Sequence, residues 1–248
     1  MSVQLTNELL MNIFLSPHPD DICFSAFLAI KEKDPSNPPV IITVFNKTCW
    51  RFDAPVRSQD AARVTSVRAH EERTFAASVE ATVKFLEFED SSLRYRFLGD
   101  EYKNTPTEDH IFPTVEKTIH DALERYDSIG KIYIPLGISN HVDHLICREA
   151  VFRHHHLRNN AVLYEDLPYV ASFSEENIRV FVGQLCSHLA NNTLHTPSVK
   201  EKTAAMSFYR SQLEEDTIST VIKYGVRLGN NTSLAERYWS FETLEKEQ

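Results

Sequence analysis

Two short stretches hold the side chains best suited to chemistry, SPHPDD at residues 16–21 and HVDH at residues 141–144. In the first, His18 and Asp21 stand three apart in a turn entering a helix, so both can reach one point with Asp20 between them. In the second, His141 and His144 repeat that spacing around Asp143. Two imidazoles and a carboxylate make a three-ligand set of the kind that holds a catalytic zinc with its fourth position open to water. Such an ion lowers the pKa of the water and polarises an acyl oxygen. Asp20 is the candidate general base beside it. Each stretch also has a plainer reading. Asp20 and Asp21 suit the dipole of a helix start, with Pro19 fitted to the first turn. The run HHH at 154–156 reads as a solvated helix end, because consecutive histidines point in different directions.

The elements that must position these residues alternate along the chain. Residues 12–16, 39–45, 83–88, 131–136 and 161–165 are short, apolar and rich in β-branched or aromatic side chains, and are predicted as strands. Helical segments are expected at 20–33, 57–81, 109–126, 143–155 and 198–213. The tail from 214 onward yields only LAERYWSF, 234–241, as a late strand. Near-continuous apolar strands alternating with helices predict an α/β fold, a Rossmann-like doubly wound and mainly parallel sheet with helices on both faces. Ligands in such sheets bind beyond the carboxyl ends of the strands where strand order reverses. Strands one and four would lie side by side there, which brings the two motifs face to face. No linker or composition shift divides the chain, so one domain over 1–248 is expected.

Composition excludes several classes. A net charge of −9 argues against a general phosphate-backbone binder, and no nucleic acid is expected as a partner. No stretch approaches the roughly 20 apolar residues of a membrane span, and the first dozen residues lack the pattern of a signal peptide, so a cytoplasmic location is expected. The 4 cysteines form no C-x-x-C pair and read as reduced, mostly buried thiols. With only 6 glycines and no glycine-rich phosphate loop, a nucleotide cofactor is not expected.

SPHPDD together with HVDH resembles the PIG-L or LmbE-like deacetylases, zinc-dependent enzymes that remove an acetyl group from N-acetylglucosamine-type sugars. RAHE at 68–71, Asp90, KTAAMSFYRSQ at 202–212 and LAERYWSF extend the resemblance over residues 12–241. It implies a divalent ion, zinc or another such as Fe²⁺, held by His18, Asp21 and His144, with Asp20 as base. It also implies that a protonated His141 stabilises the tetrahedral intermediate or donates to the leaving amine. Asp143 would then orient a histidine, or alternatively cap the following helix. Arg68 and Asp90 become candidates for contacts to sugar hydroxyls, although an exposed Arg68–Glu71 pair would look the same in sequence.

The chain departs from the family pattern at Ile22, where glutamate is common, and at Ser139, where some members carry tyrosine. The loop NKTCWRFDAPVRSQD, with Trp50, Arg51, Phe52 and Arg57, could wall the substrate or simply anchor itself to the surface. The expected reaction is attack of metal-activated water on an N-acetylated sugar or conjugate, a small-molecule partner. The alternatives are a metal-dependent amidase or esterase acting on a natural product, and a catalytically silent carbohydrate-binding protein.

Overall fold

The computed structural model describes residues 10–32, 36–52, 60–97, 99–196, 198–214 and 216–241. Its strands are β1 (Met11–Ser16), β2 (Val40–Thr43), β3 (Thr82–Phe85), β4 (Ile129–Pro135), β5 (Ala161–Tyr164), β6 (Leu189–Thr196) and β7 (Leu234–Phe241). They form one sheet in the order β3-β2-β1-β4-β5-β7-β6. The first five are parallel, while β7 runs antiparallel to β5 and β6 antiparallel to β7. The expected mainly parallel, Rossmann-like α/β sheet is therefore found, and β1 lies beside β4 at the reversal of strand order. Ile13, Phe14, Leu15, Ile41 and Ile42 have no exposed surface. Their β-branched and aromatic chains pack on both faces of the sheet, which is why these strands read as unbroken apolar runs.

The helices are α1 (Asp21–Ser25), α2 (Phe27–Lys31), α3 (Ala61–Ser78), α4 (Ser91–Arg94), α5 (Phe112–Leu123), α6 (Val142–Phe152), α7 (His155–Arg158), α8 (Glu175–Leu185), α9 (Val199–Met206) and α10 (Thr217–Leu228). Asp60 starts α3 by accepting the amides of Ala62 at 3.0 Å and Arg63 at 3.3 Å. Along α5, Phe112, Val115, Ile119, Ala122 and Leu123 recur at helical spacing and form its buried face. No helix among the described residues is long and apolar enough to cross a membrane.

The structure corrects three expectations of detail. The third strand ends at Phe85, and the chain turns through Glu87 at a φ of 64°. Strand β6 and helices α8 and α10 were not expected from the sequence. The helix after SPHPDD, expected to run from 20 to 33, breaks at Ala26, whose φ and ψ are −136° and 26°. A break frees backbone groups that must find new partners when buried. Lys202 of α9 donates to the Phe24 carbonyl at 2.7 Å, and Glu236 of β7 accepts the Leu28 amide at 2.8 Å. Lys202 and Glu236 are themselves a buried ion pair, each side chain 1% exposed, and the Tyr238 hydroxyl donates to Glu236 at 2.5 Å. Helix α9 and strand β7 thus hold the segment that follows the first motif.

Removing one member of such a pair strands the other charge in the interior. Lys202→Met is expected to lower unfolding stability by about 3–5 kcal/mol, read as a reduced urea midpoint at unchanged m-value.

Candidate metal centre

The turn after β1 carries His18, Asp20 and Asp21, and the turn after β4 carries His141, Asp143 and His144. Gly137 opens the second turn at a φ of 74°, a conformation strained for any other residue, and a Cβ there would push on the side-chain ends of Leu145 and Arg148. The imidazoles of His18, His141 and His144 meet with ring centroids 5.1–5.3 Å apart.

Each ring has one nitrogen committed elsewhere. His18 Nε2 donates to Asp143 Oδ2 at 2.9 Å, which leaves Nδ1 turned toward Asp21. His144 Nδ1 donates to Asp166 Oδ1 at 2.6 Å, which leaves Nε2 buried with no hydrogen-bond partner. Asp21 lies between them, with Oδ2 3.4 Å from His18 Nδ1 and Oδ1 3.6 Å from His144 Nε2. These separations are long for hydrogen bonds. Ligand bonds of about 2.0–2.1 Å in tetrahedral array place neighbouring donor atoms roughly 3.3–3.4 Å apart, and each histidine nitrogen stands close to that distance from one oxygen of Asp21. His18, Asp21 and His144 form one set whose ligand atoms all lie within 4.8 Å of each other, and His18, His141 and Asp143 form another. The first is the better ligand set, because both Asp143 oxygens are already engaged. Oδ2 takes the Ser91 amide at 3.0 Å as well as His18, and Oδ1 takes Arg94 at 2.6 Å.

The charges favour a cation here. Burial disfavours a charged His18, yet the hydrogen bond to Asp143 and the negative charges of Asp143 and Asp21 outweigh it and carry the pKa up to about 10. Burial likewise opposes ionised Asp21, but His144 and His18 draw it down to about 2. His144 is also raised against the effect of burial, by Asp21 and Asp166. Carboxylates that hold protons on two buried imidazoles will hold a divalent ion in their place.

Asp20 adopts a φ of 110°, a region that costs a non-glycine residue about 1–3 kcal/mol unless its surroundings impose it. Helix α3 imposes it. Arg68 donates to the Pro19 carbonyl at 2.8 Å and lies 3.6 Å from Asp20 Oδ1, and Glu72 accepts the Asp20 amide at 3.2 Å. Glu72 is fixed in turn by the Tyr209 hydroxyl at 2.6 Å. Burial pushes the Asp20 carboxyl up to about 7, with Arg68 pulling against it.

The remaining expected residues are also placed. His141 accepts the Asp143 amide at Nδ1, 3.3 Å away, and is itself the N-cap of α6, so Asp143 does not cap that helix. With Nδ1 accepting, the ring proton sits on Nε2, 3.4 Å from Ser91 Oγ. Burial pushes the His141 pKa down to about 3 despite nearby Asp143, which favours the neutral ring over the protonated one. Arg68 is buried and does not pair with Glu71, whose carboxylate instead accepts the amide and hydroxyl of Ser211 at 2.9 and 2.6 Å. Asp90 is buried, caps α4 through Leu93 and accepts from Ser92 at 2.5 Å. Ser139 turns inward to accept the His141 amide at 3.3 Å. In the 46–60 loop, Trp50 lines the cavity; Arg57 lies outside the described residues.

Sequence reasoning missed Asp166, Arg94 and Glu72. Asp166 grips both faces of the second turn, with Oδ1 on His144 and Oδ2 on the amides of Gly137 and Ile138 at 2.6 and 3.2 Å. It follows β5 directly, so the rule that places ligands beyond strand ends would have found it. Over the centre lies a cavity of about 680 Å³, bounded by His18, Asp20, Asp21, Arg68, Asp90 and His141 below and by Trp50, Tyr95, Tyr102, Tyr169 and Glu214 among others.

A 2′-N-acetylparomamine deacetylase from Streptomyces fradiae is 24% identical over 226 residues, covering 87% of this chain and 78% of that protein. A deacetylase from the teicoplanin biosynthesis pathway shares the fold at a TM-score of 0.71 with 18% identity, over 96% of this chain and 100% of its own. A teicoplanin deacetylase described in a zinc-inhibited form does so at 0.69 with 19% identity, over 96% and 100%. The family model described as PIG-L, GlcNAc-PI de-N-acetylase, matches residues 13–155, more than half of the chain with both motifs inside it, and the chain belongs to that family.

Proposed function

We propose that the chain, acting as one domain, is a divalent-metal-dependent hydrolase that removes the N-acetyl group from an N-acetylglucosamine-type sugar or conjugate. The carrying observation is the spacing of His18 Nδ1, Asp21 and the orphaned His144 Nε2, too long for hydrogen bonds and suited to a shared ion. Family membership and the deacetylase activity of the Streptomyces fradiae relative supply the bond class. His18, Asp21 and His144 would hold zinc, and the same donor types accept Fe²⁺. When bound, the ion supplies positive charge that polarises the acetamide oxygen and acidifies the attacking water.

The other steps belong to side chains. Asp20 takes the proton of the water as the new C–O bond forms. A carboxyl with a pKa near 7 can both accept that proton and return it to the nitrogen as the C–N bond breaks, leaving acetate and a free amine. His141 donates a hydrogen bond through Nε2–H to the oxygen on which charge develops. A neutral imidazole serves this role without the cost of a second buried cation next to His18 and His144. Asp143 aligns His18, and Asp166 sets the His144 tautomer. Arg68 is a positioning residue for the Pro19–Asp20 turn, while Asp90 remains a candidate acceptor for a sugar hydroxyl.

Asp20→Asn is expected to retain its metal while acetate release falls by about 10²–10⁴-fold; full turnover in that variant excludes Asp20 as the base. Asp166→Asn cannot offer acceptors to His144 and to the two backbone amides at once. It is expected to weaken divalent-ion binding about 10–100-fold in equilibrium dialysis. Protein purified without added metal should contain a divalent ion by elemental analysis, lose activity on chelation and regain it with one equivalent of zinc or ferrous ion.

A further inference from the structure

Two tyrosines stand against the histidines of the second motif. The Tyr102 ring meets His141 edge to face with centroids 5.4 Å apart, and the Tyr169 ring meets His144 in the same manner at 5.9 Å. The two phenol hydroxyls are hydrogen-bonded to each other. His141 and His144 are themselves 5.2 Å apart between centroids, so the four rings close a circuit.

Each tyrosine is held by its own segment. Tyr102 ends a 3₁₀ turn, Asp100–Tyr102, which Gly99 opens at a φ of 93°. Glu101 accepts the Gly99 amide at 2.8 Å, and the Asn104 side chain donates to the Asp100 carbonyl at 2.8 Å. Tyr169 belongs to the turn after Asp166, where the Asp166 carbonyl accepts the Val170 amide at 2.9 Å and Ser25 Oγ accepts the Leu167 amide at 2.9 Å. The residue that fixes His144 therefore also anchors the turn that carries Tyr169.

The proposed reaction sends the substituents of the acyl carbon to different groups. Its oxygen addresses the ion ligands and His141, and its nitrogen addresses Asp20, which α3 holds in place. The carbon substituent is left facing the rings packed on His141 and His144. Phe24 and Leu167, 3 and 4% exposed, line the same cavity and make this corner apolar. A methyl group suits such a corner, whereas each further methylene has to displace a packed ring.

We infer that Tyr102 and Tyr169 are specificity-determining residues that limit the acyl group to acetyl, because their hydrogen-bonded rings leave room for one methyl and exclude longer chains. This rests on the deacetylase reading for the direction in which the amide lies.

The test compares glucosamine bearing an N-acetyl, N-propionyl or N-butyryl group, with the zinc-loaded protein and release of the carboxylic acid as readout. kcat/KM is expected to fall by at least about tenfold for each added methylene. In Tyr102→Ala and in Tyr169→Ala the butyryl-to-acetyl ratio should rise at least about tenfold, even where the acetyl rate itself drops through loss of a ring against His141 or His144. Comparable kcat/KM for the three compounds in the wild type, or a ratio unmoved in both alanine variants, overturns the proposal. Calorimetric binding of the same compounds separates the acyl limit from the reaction. Tighter binding of the acetyl than of the butyryl compound, lost in the alanine variants and with no acid released from any of them, supports the acyl limit and removes the deacetylase reading. Acid release irrespective of chain length does the reverse, and neither binding nor release of any compound overturns both.

Discussion

Asp143 is the buried carboxylate on which the site's geometry depends. Its oxygens join three parts of the chain that are remote in sequence: His18 after β1, Ser91 and Arg94 after β3, and its own helix after β4. A carboxylate without exposed surface is tolerable only when its lone pairs are filled, and Arg94 holds it ionised well below the usual carboxylate range against the effect of burial. Arg94 is anchored in turn by Asp109 at 2.8 Å and packs its guanidinium over Phe45. The orientation of the His18 ring, and hence which nitrogen faces Asp21, follows from this chain of contacts.

The same logic recurs at Asp166 and Glu72. Asp166 accepts two backbone amides from a turn and one side-chain donor, and Glu72 accepts one turn amide and two side-chain hydroxyls, so in each case turn and side chains are fixed together. The strained backbone at Asp20 is stable because Glu72 and Arg68 of α3 grip it from behind. Helix α9 and strand β7 secure the following helix break through Lys202 and Glu236.

Much of this was legible in the sequence. The parallel strands announce themselves because burial on both faces requires unbroken apolar runs, as in VIIT of β2. The motif residues stand out because His18, Asp20 and Asp21 interrupt such a run, and the strand-end rule pairs them with His141 and His144. Strand β6, LANNTLHT, escaped because it is an antiparallel edge strand, half exposed, with two asparagines; its pairing with β7 rather than its own propensity determines it. Helix α10 is rich in β-branched residues, and its buried Val221 and Tyr224 gain meaning only from the elements they pack against. The His141 charge state was unreadable for a related reason: sequence shows the neighbouring aspartate but not the degree of burial that overrides it.

The cavity wall comes largely from residues outside the candidate ligand set: Trp50, Tyr95, Phe97, Tyr102, the turn at 167–169, Gln212 and the start of α10. The reactive groups, by contrast, sit on turns cross-tied by interior carboxylates. Reach and appetite are thereby uncoupled from reactivity. Exchange of the outer segments would change the size and charge of molecule the cavity admits while the inner groups kept their alignment.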